Sequence, residues 1–142
     1  MDITRRAVLA AGGGIATSAM LGRVGVARAA GFASKRPPVA ERRFVNQAVE
    51  REIARVSGMI ADPELAWLFG NCYPNTLDTT VAMGTVEGKP DAFVITGDIP
   101  CLWLRDSAAQ VRPYLHLAKQ DAGLRELFRG LIGRHARSVL ID

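Results

Sequence analysis

The chain has 142 residues, 49% hydrophobic and 23% charged, with a formal net charge of +4. That length accommodates one modest core, since domains usually run about 100–150 residues. Arg5, Arg6, Arg23, Arg28 and Asp2 all fall in residues 1–29, so the remainder is nearly neutral and carries no dense Lys/Arg stripe of the sort that binds nucleic acid.

The first residues read as an export leader. Arg5-Arg6 stand just ahead of a mildly apolar, Gly-rich run from Ala7 to Gly22, the pattern of a twin-arginine signal. Val8 and Ala10 depart from the commonest residues at their positions, while the arginine pair is intact. The run is broken by Gly12, Gly13 and Gly14 and followed by Arg23. It falls short of the roughly 20 residues that cross a bilayer, so cleavage is expected rather than a stable membrane anchor. Ala27-Arg28-Ala29 is a small-x-small cleavage site that starts the mature chain at Ala30. The expected partner is the twin-arginine translocation machinery, and the expected location is periplasmic or extracellular. Residues 30–40, with Lys35-Arg36-Pro37-Pro38, have no apolar period and read as a linker.

From Glu41 the pattern changes. Val45, Val49, Ile53, Val56 and Ile60 recur at intervals of three and four, which predicts a helix ending before Asp62-Pro63. Arg42, Arg43, Arg51 and Arg55 read as its solvated face. Asp62 suits an N-cap and Pro63 a first helical position, opening a short helix through Leu65, Trp67 and Leu68 that Gly70 closes. A polar loop, Asn71 to Asp78, is expected next. Thr79–Val86 and Ala92–Thr96 are rich in β-branched residues and flank Glu87-Gly88-Lys89-Pro90-Asp91, which reads as a hairpin. Ser107 and Gln110 suggest a capping box for the following helix, which Pro113 must kink or delay. A last helix carries Leu124, Leu127, Phe128, Leu131, Ile132 and Val139 on one side, and the short link Asp121-Ala122-Gly123 makes the two helices an antiparallel pair. The fold class is mainly α with a small β-hairpin.

Two phrases concentrate turn formers, aromatics and hydrogen-bonding groups: Asn71-Cys72-Tyr73-Pro74-Asn75-Thr76-Leu77-Asp78 and Thr96-Gly97-Asp98-Ile99-Pro100-Cys101-Leu102-Trp103-Leu104-Arg105-Asp106-Ser107. Loops of that makeup on a rigid scaffold are where sites usually form. A sugar needs this mixture, because its hydroxyls favour charged partners such as Arg and Asp while its C–H faces favour an aromatic plate. Trp103, Arg105 and Asp106 supply all three. The structural alternative is a helix-start salt bridge beside a core tryptophan.

The phrase from Gly97 to Tyr114, together with Asn71 to Thr80, resembles glycoside hydrolase family 125, and the resemblance runs from about Glu41 to Asp142. It implies metal-independent, exo-acting release of terminal α-1,6-linked mannose by an inverting mechanism, with no cofactor and no metal. It also implies that the chain forms the N-terminal part of an (α/α)6 helical barrel. A mannose-containing oligosaccharide is the expected partner. The terminal-sugar role falls on Trp103, Arg105 and Asp106, and more loosely on Asp98, Asn75 and Asp78. Twelve helices of about 11 residues with connections of about five need roughly 190 residues, more than residues 30–142 supply. The resemblance places the proton donor and the base later in the barrel, so neither is expected here, and the chain reads as a truncated portion.

An inverting pair formed by Asp98 and Asp106 at about 6.5–9.5 Å is the alternative, disfavoured because Asp106 beside Arg105 is badly placed to donate a proton. His116 and His135 lack neighbours at zinc-ligand spacing. Cys72 and Cys101 are expected as two buried thiols rather than a disulfide. Two other functions stay open: a non-catalytic exported sugar-binding protein, and a small helical protein that binds a partner.

Overall fold

The computed structural model describes residues 32–141; the leader and its cleavage site lie outside them. The chain is mainly α, with five α-helices and one antiparallel hairpin among the described residues. Asn46 caps α1 (Gln47–Ser57), its side chain accepting from the amides of Ala48 and Val49, so the helix begins after Val45, which stays exposed. Val49 is buried and Ile53 packs against the core, as the apolar period requires. Asp62 caps α2 (Pro63–Cys72) through the amides of Glu64 and Leu65, with Pro63 in the first turn. This helix runs past Gly70, because a glycine ends a helix only where the backbone adopts a left-handed turn.

The polar loop expected at Asn71–Asp78 is instead helical at both ends: α2 reaches Cys72 and a short helix, α3, covers Asn75–Thr79. Burial of Leu77 at 1% exposure overrides the polar composition. The Thr79 and Thr80 hydroxyls donate to the carbonyls of Asn75 and Thr76, closing that turn.

Strands β1 (Val81–Val86) and β2 (Lys89–Val94) pair antiparallel, from Val81 opposite Val94 to Val86 opposite Lys89. Only Glu87 and Gly88 form the turn, both with positive φ (52° and 73°), the backbone that a two-residue hairpin requires. The pairing therefore includes Lys89, Pro90 and Asp91, which composition alone placed in the turn.

Helix α4 (Leu104–Val111) starts three residues before Ser107 and has no side-chain cap. Ser107 is not the expected cap: it is wholly buried within the helix, its hydroxyl 3.2 Å from the Leu104 carbonyl and 2.8 Å from His135 Nε2. Pro113 lies in the 3-10 turn Arg112–Tyr114 that ends α4. Helix α5 (Ala122–Ile141) begins after Asp121, whose carboxylate accepts from the Leu124 amide at 2.8 Å.

The expected pairing of α4 with α5 is not the main packing, for α5 lies chiefly across β2. Gly130 allows it: a Cβ there would stand 2.7 Å from the Asp91 carbonyl carbon. Asp91, buried beneath, accepts hydrogen bonds from Arg134 and Arg137 of the same helix. Ala92, Val94, Leu124 and Leu127 are fully buried and form the core together with Leu77 and Tyr114. The Tyr114 hydroxyl donates to the Tyr73 carbonyl, and burial raises its pKa. No described helix is long and apolar enough to cross a membrane.

Candidate functional site

At the end of β2 the chain makes a loop pinned at its neck by Thr96. The Thr96 amide donates to the Cys101 carbonyl at 2.9 Å, and the Thr96 hydroxyl accepts from the Trp103 amide at 2.9 Å. Thr96 is itself buried, so this neck is a fixed point. Gly97, with φ of 79°, turns the chain outward into the loop. The loop, the start of α4 and its first two turns enclose a cleft of ≈ 560 Å³. Asp98, Ile99, Trp103, Arg105, Asp106 and Gln110 line it.

The groups at this cleft are not spent on holding the fold. Trp103 is 57% exposed and presents its indole to the cleft rather than the core. Asp106 lies in the first turn of α4, where the helix dipole favours a carboxylate, yet it caps no backbone amide. Its contact with Arg105 is 3.4 Å long, and the Arg105 side chain is 89% exposed. A plate, a cation and two carboxylates thus face one opening, which is the inventory that a polyhydroxylated ligand uses.

Asn75 and Asp78 belong elsewhere. They line a smaller recess of ≈ 290 Å³ with Lys35, Arg36, Pro37, Asn71 and Cys72. Asp78 is 2% exposed and is gripped by Arg36, whose Nε and Nη2 donate to its two oxygens at 2.7 and 3.1 Å. Arg36 also donates to both oxygens of Glu50. These Glu50 hydrogen bonds push the Arg36 pKa up, and they hold the Glu50 carboxyl below its usual range. Both Asp78 oxygens are therefore engaged within the protein, and Asn75 alone of the two is exposed to a ligand.

Arg36 is the residue that reading along the sequence missed. The segment expected as a linker is, over residues 32–38, a fastened strap. Trp67 Nε1 donates to the Ala33 carbonyl at 2.9 Å, the Lys35 amide donates to Asn71 Oδ1 at 2.6 Å, and the Phe32 ring lies 5.3 Å from that of Trp67. Arg42, expected on a solvated face, donates to the Pro37 carbonyl and pairs with Glu50. No local signal marked Arg36, since it and Asp78 are 42 positions apart and the neighbours of Asp78 in sequence, Leu77 and Thr79, do not announce its burial.

A third concavity, of ≈ 470 Å³, runs between α4 and α5 and is mainly apolar, with Val111, Leu115, Phe128 and Ile132 in its wall. His135 lines it, its pKa lowered by burial. The Ser107–His135 hydrogen bond is not a nucleophile and base, since Ser107 is 0% exposed and no substrate carbonyl can reach it. His116 lies 3.5 Å from Glu52. Both cysteines are free thiols, but Cys72 is exposed and Cys101 half-buried, contrary to the expectation of two buried thiols. The end of α2 turns Cys72 out beside the strap.

Residues 62–142 match the family described as metal-independent alpha-mannosidases, glycoside hydrolase family 125. The chain is also 45% identical over 107 residues to the meiotically up-regulated gene 157 protein of Schizosaccharomyces pombe. That alignment covers 75% of this chain and 21% of the yeast protein, so the chain spans about a fifth of its relative's length. The match includes both phrases around the clefts and the whole of α4 and α5, and on it the chain belongs to glycoside hydrolase family 125.

Proposed function

We propose that the Trp103–Arg105–Asp106 cleft holds the terminal sugar of a mannose-containing oligosaccharide, as the sugar-binding segment of an inverting, metal-independent exo-α-1,6-mannosidase. The observation that carries this reading is that an indole, a guanidinium and a carboxylate share one opening while none is consumed by capping, core packing or a tight ion pair. Trp103 stacks on the C–H face of the ring, while Arg105 and Asp106 take hydroxyls by charge-assisted hydrogen bonds, each contributing about 1.5–3 kcal/mol. Asp98 closes the rim. On this reading α4 and α5 are members of a helical barrel, and their apolar groove faces further helices.

Inversion needs one carboxylic acid to protonate the leaving oxygen and one carboxylate to activate water on the opposite face of the sugar. Asp98 and Asp106 are the carboxylates lining this cleft, and the role proposed for Asp106 is to bind hydroxyls. The chain of residues 30–142 therefore binds mannose without hydrolysing the glycoside. Titration with α-1,6-linked mannobiose, followed through tryptophan fluorescence and calorimetry, tests this. Saturable binding is expected, with Asp106→Asn about tenfold weaker or more and no mannose released. Undiminished binding by Asp106→Asn counts against the site, and mannose release abolished by Asp98→Asn would assign the catalytic pair to this chain.

Export through the twin-arginine machinery is part of the same proposal, resting on Arg5-Arg6 ahead of the apolar run. Replacing both arginines by lysine should leave the protein in the cytoplasm. Normal amounts of exported product from that variant would refute this route.

A further inference from the structure

Gln110 stands one helical turn beyond Asp106 on α4, a spacing that sets both side chains on one face, and it lines the same cleft. Its Oε1 is sealed from solvent and has no hydrogen-bond partner. Buried side-chain acceptors without a partner are rare, and each asks for a reason. Stability does not supply one, since a methionine of similar length would fill the same place with no carbonyl to desolvate. The neighbours offer none either: Arg105 points to solvent, and the Thr96 hydroxyl is committed to the loop neck.

We propose that Gln110 is a positioning residue of the cleft, its amide turning toward a bound sugar so that the carbonyl accepts from one ring hydroxyl. This rests on the reading of the cleft as a sugar site. The movement uses the earlier torsions of the side chain and carries the whole amide to the opening, because turning the last torsion alone would only put the NH2 where the carbonyl was. It exchanges an unmatched carbonyl for a matched one, so the interaction is worth more with sugar present than the side chain costs without it. The amide also differs from its neighbours in kind. Arg105 only donates and the Asp106 oxygens serve as acceptors, whereas an amide does both, as do the hydroxyls of a sugar. Gln110 therefore serves a pair of adjacent ring hydroxyls with its two ends and orients the ring, while the charged pair contributes most of the affinity.

The test compares the wild-type chain with Gln110→Met and Gln110→Leu, titrated with methyl α-mannoside and α-1,6-mannobiose, and measures Tm without sugar. Asp106→Asn is the reference for the site as a whole. Both apolar variants should keep or raise Tm while sugar affinity falls about threefold to tenfold, the equivalent of a neutral hydrogen bond. Undiminished affinity in either folded variant, with Asp106→Asn weakened as expected, overturns the role of Gln110 and leaves the sugar site standing. A fall of Tm in both variants also overturns it, because it shows the amide to be satisfied within the folded protein. Absence of sugar binding by the wild-type chain removes the site itself, and the Gln110 role with it.

Discussion

Two arginine–aspartate pairs in this chain have opposite physical meanings. Arg105 and Asp106 meet at 3.4 Å on the surface, where solvent screens the attraction and such a pair contributes about 0–1 kcal/mol. Arg36 and Asp78 are 10% and 2% exposed, and there neither charge is tolerable without the other. Removing one member of a buried pair costs about 3–5 kcal/mol, a large part of the roughly 5–15 kcal/mol that holds a domain folded. Arg42, at 3.8 Å from Asp78, offsets part of the loss, so Arg36→Ala should destabilise by about 3 kcal/mol. Urea unfolding reads this directly, and a loss below about 1 kcal/mol would mean that water reaches Asp78. Only the second pair was unreadable from sequence, because its members are 42 positions apart and no local spacing joins them. The exposed pair was legible because its members are adjacent in sequence, beside Trp103.

At the level of elements, Asn46 and Asp121 link the starts of two helices. Asn46 caps α1 with its oxygen and gives its amide to Asp121 Oδ1 at 2.9 Å, while Asp121 receives the first amides of α5. The Leu124 amide chiefly, and Asn46 after it, hold the Asp121 carboxyl below its usual range. Glu50 is lowered by Arg36, and Glu52 is brought to about 2 by Arg55. A carboxyl with a depressed folded value adds stability that is complete above its unfolded value and is lost as pH falls through the folded one. Thermal unfolding should therefore hold steady above the ordinary carboxylate range of about 4 and decline from there toward pH 2, with Asp121→Asn less stable at neutral pH and flatter in acid. A profile unchanged by Asp121→Asn would remove the cap from the account. The Asp62-Pro63 helix start, the hairpin and α5 were legible in the sequence because cap, turn and apolar period are local signals. The helix at Asn75–Thr79 was not, since its cause is burial of Leu77 against distant residues. Ser107 misled in the same way: its hydroxyl is taken by His135, 28 positions along.

For the whole molecule, the apolar surface is incompletely covered. The groove between α4 and α5 lies open, and Ile132, Val139, Leu140 and Ile141 continue it along α5 at 62–84% exposure. Contiguous apolar patches of this kind drive association, so residues 30–142 should show concentration-dependent self-association that Ile132→Glu together with Leu140→Glu relieves. Sedimentation of a dilution series measures it, and a monomer throughout would mean that the groove is masked in solution. Neither Ile132 nor Leu140 lines the Trp103–Asp106 cleft, so the double substitution should leave the proposed mannoside binding intact. The strap gives the molecule a different vulnerability. Most of what neutralises Asp78 and steadies Glu50 rests on one side chain of the strap, Arg36, with Arg42 in support. Proteolytic trimming is then graded by where it stops. Loss of Phe32 and Ala33 removes an aromatic contact and one hydrogen bond, whereas a cut beyond residue 36 leaves buried Asp78 with only the more distant Arg42, at 3.8 Å. A preparation with ragged N-termini would contain two populations, one sturdy and one prone to unfold, with every helix and both strands identical in sequence.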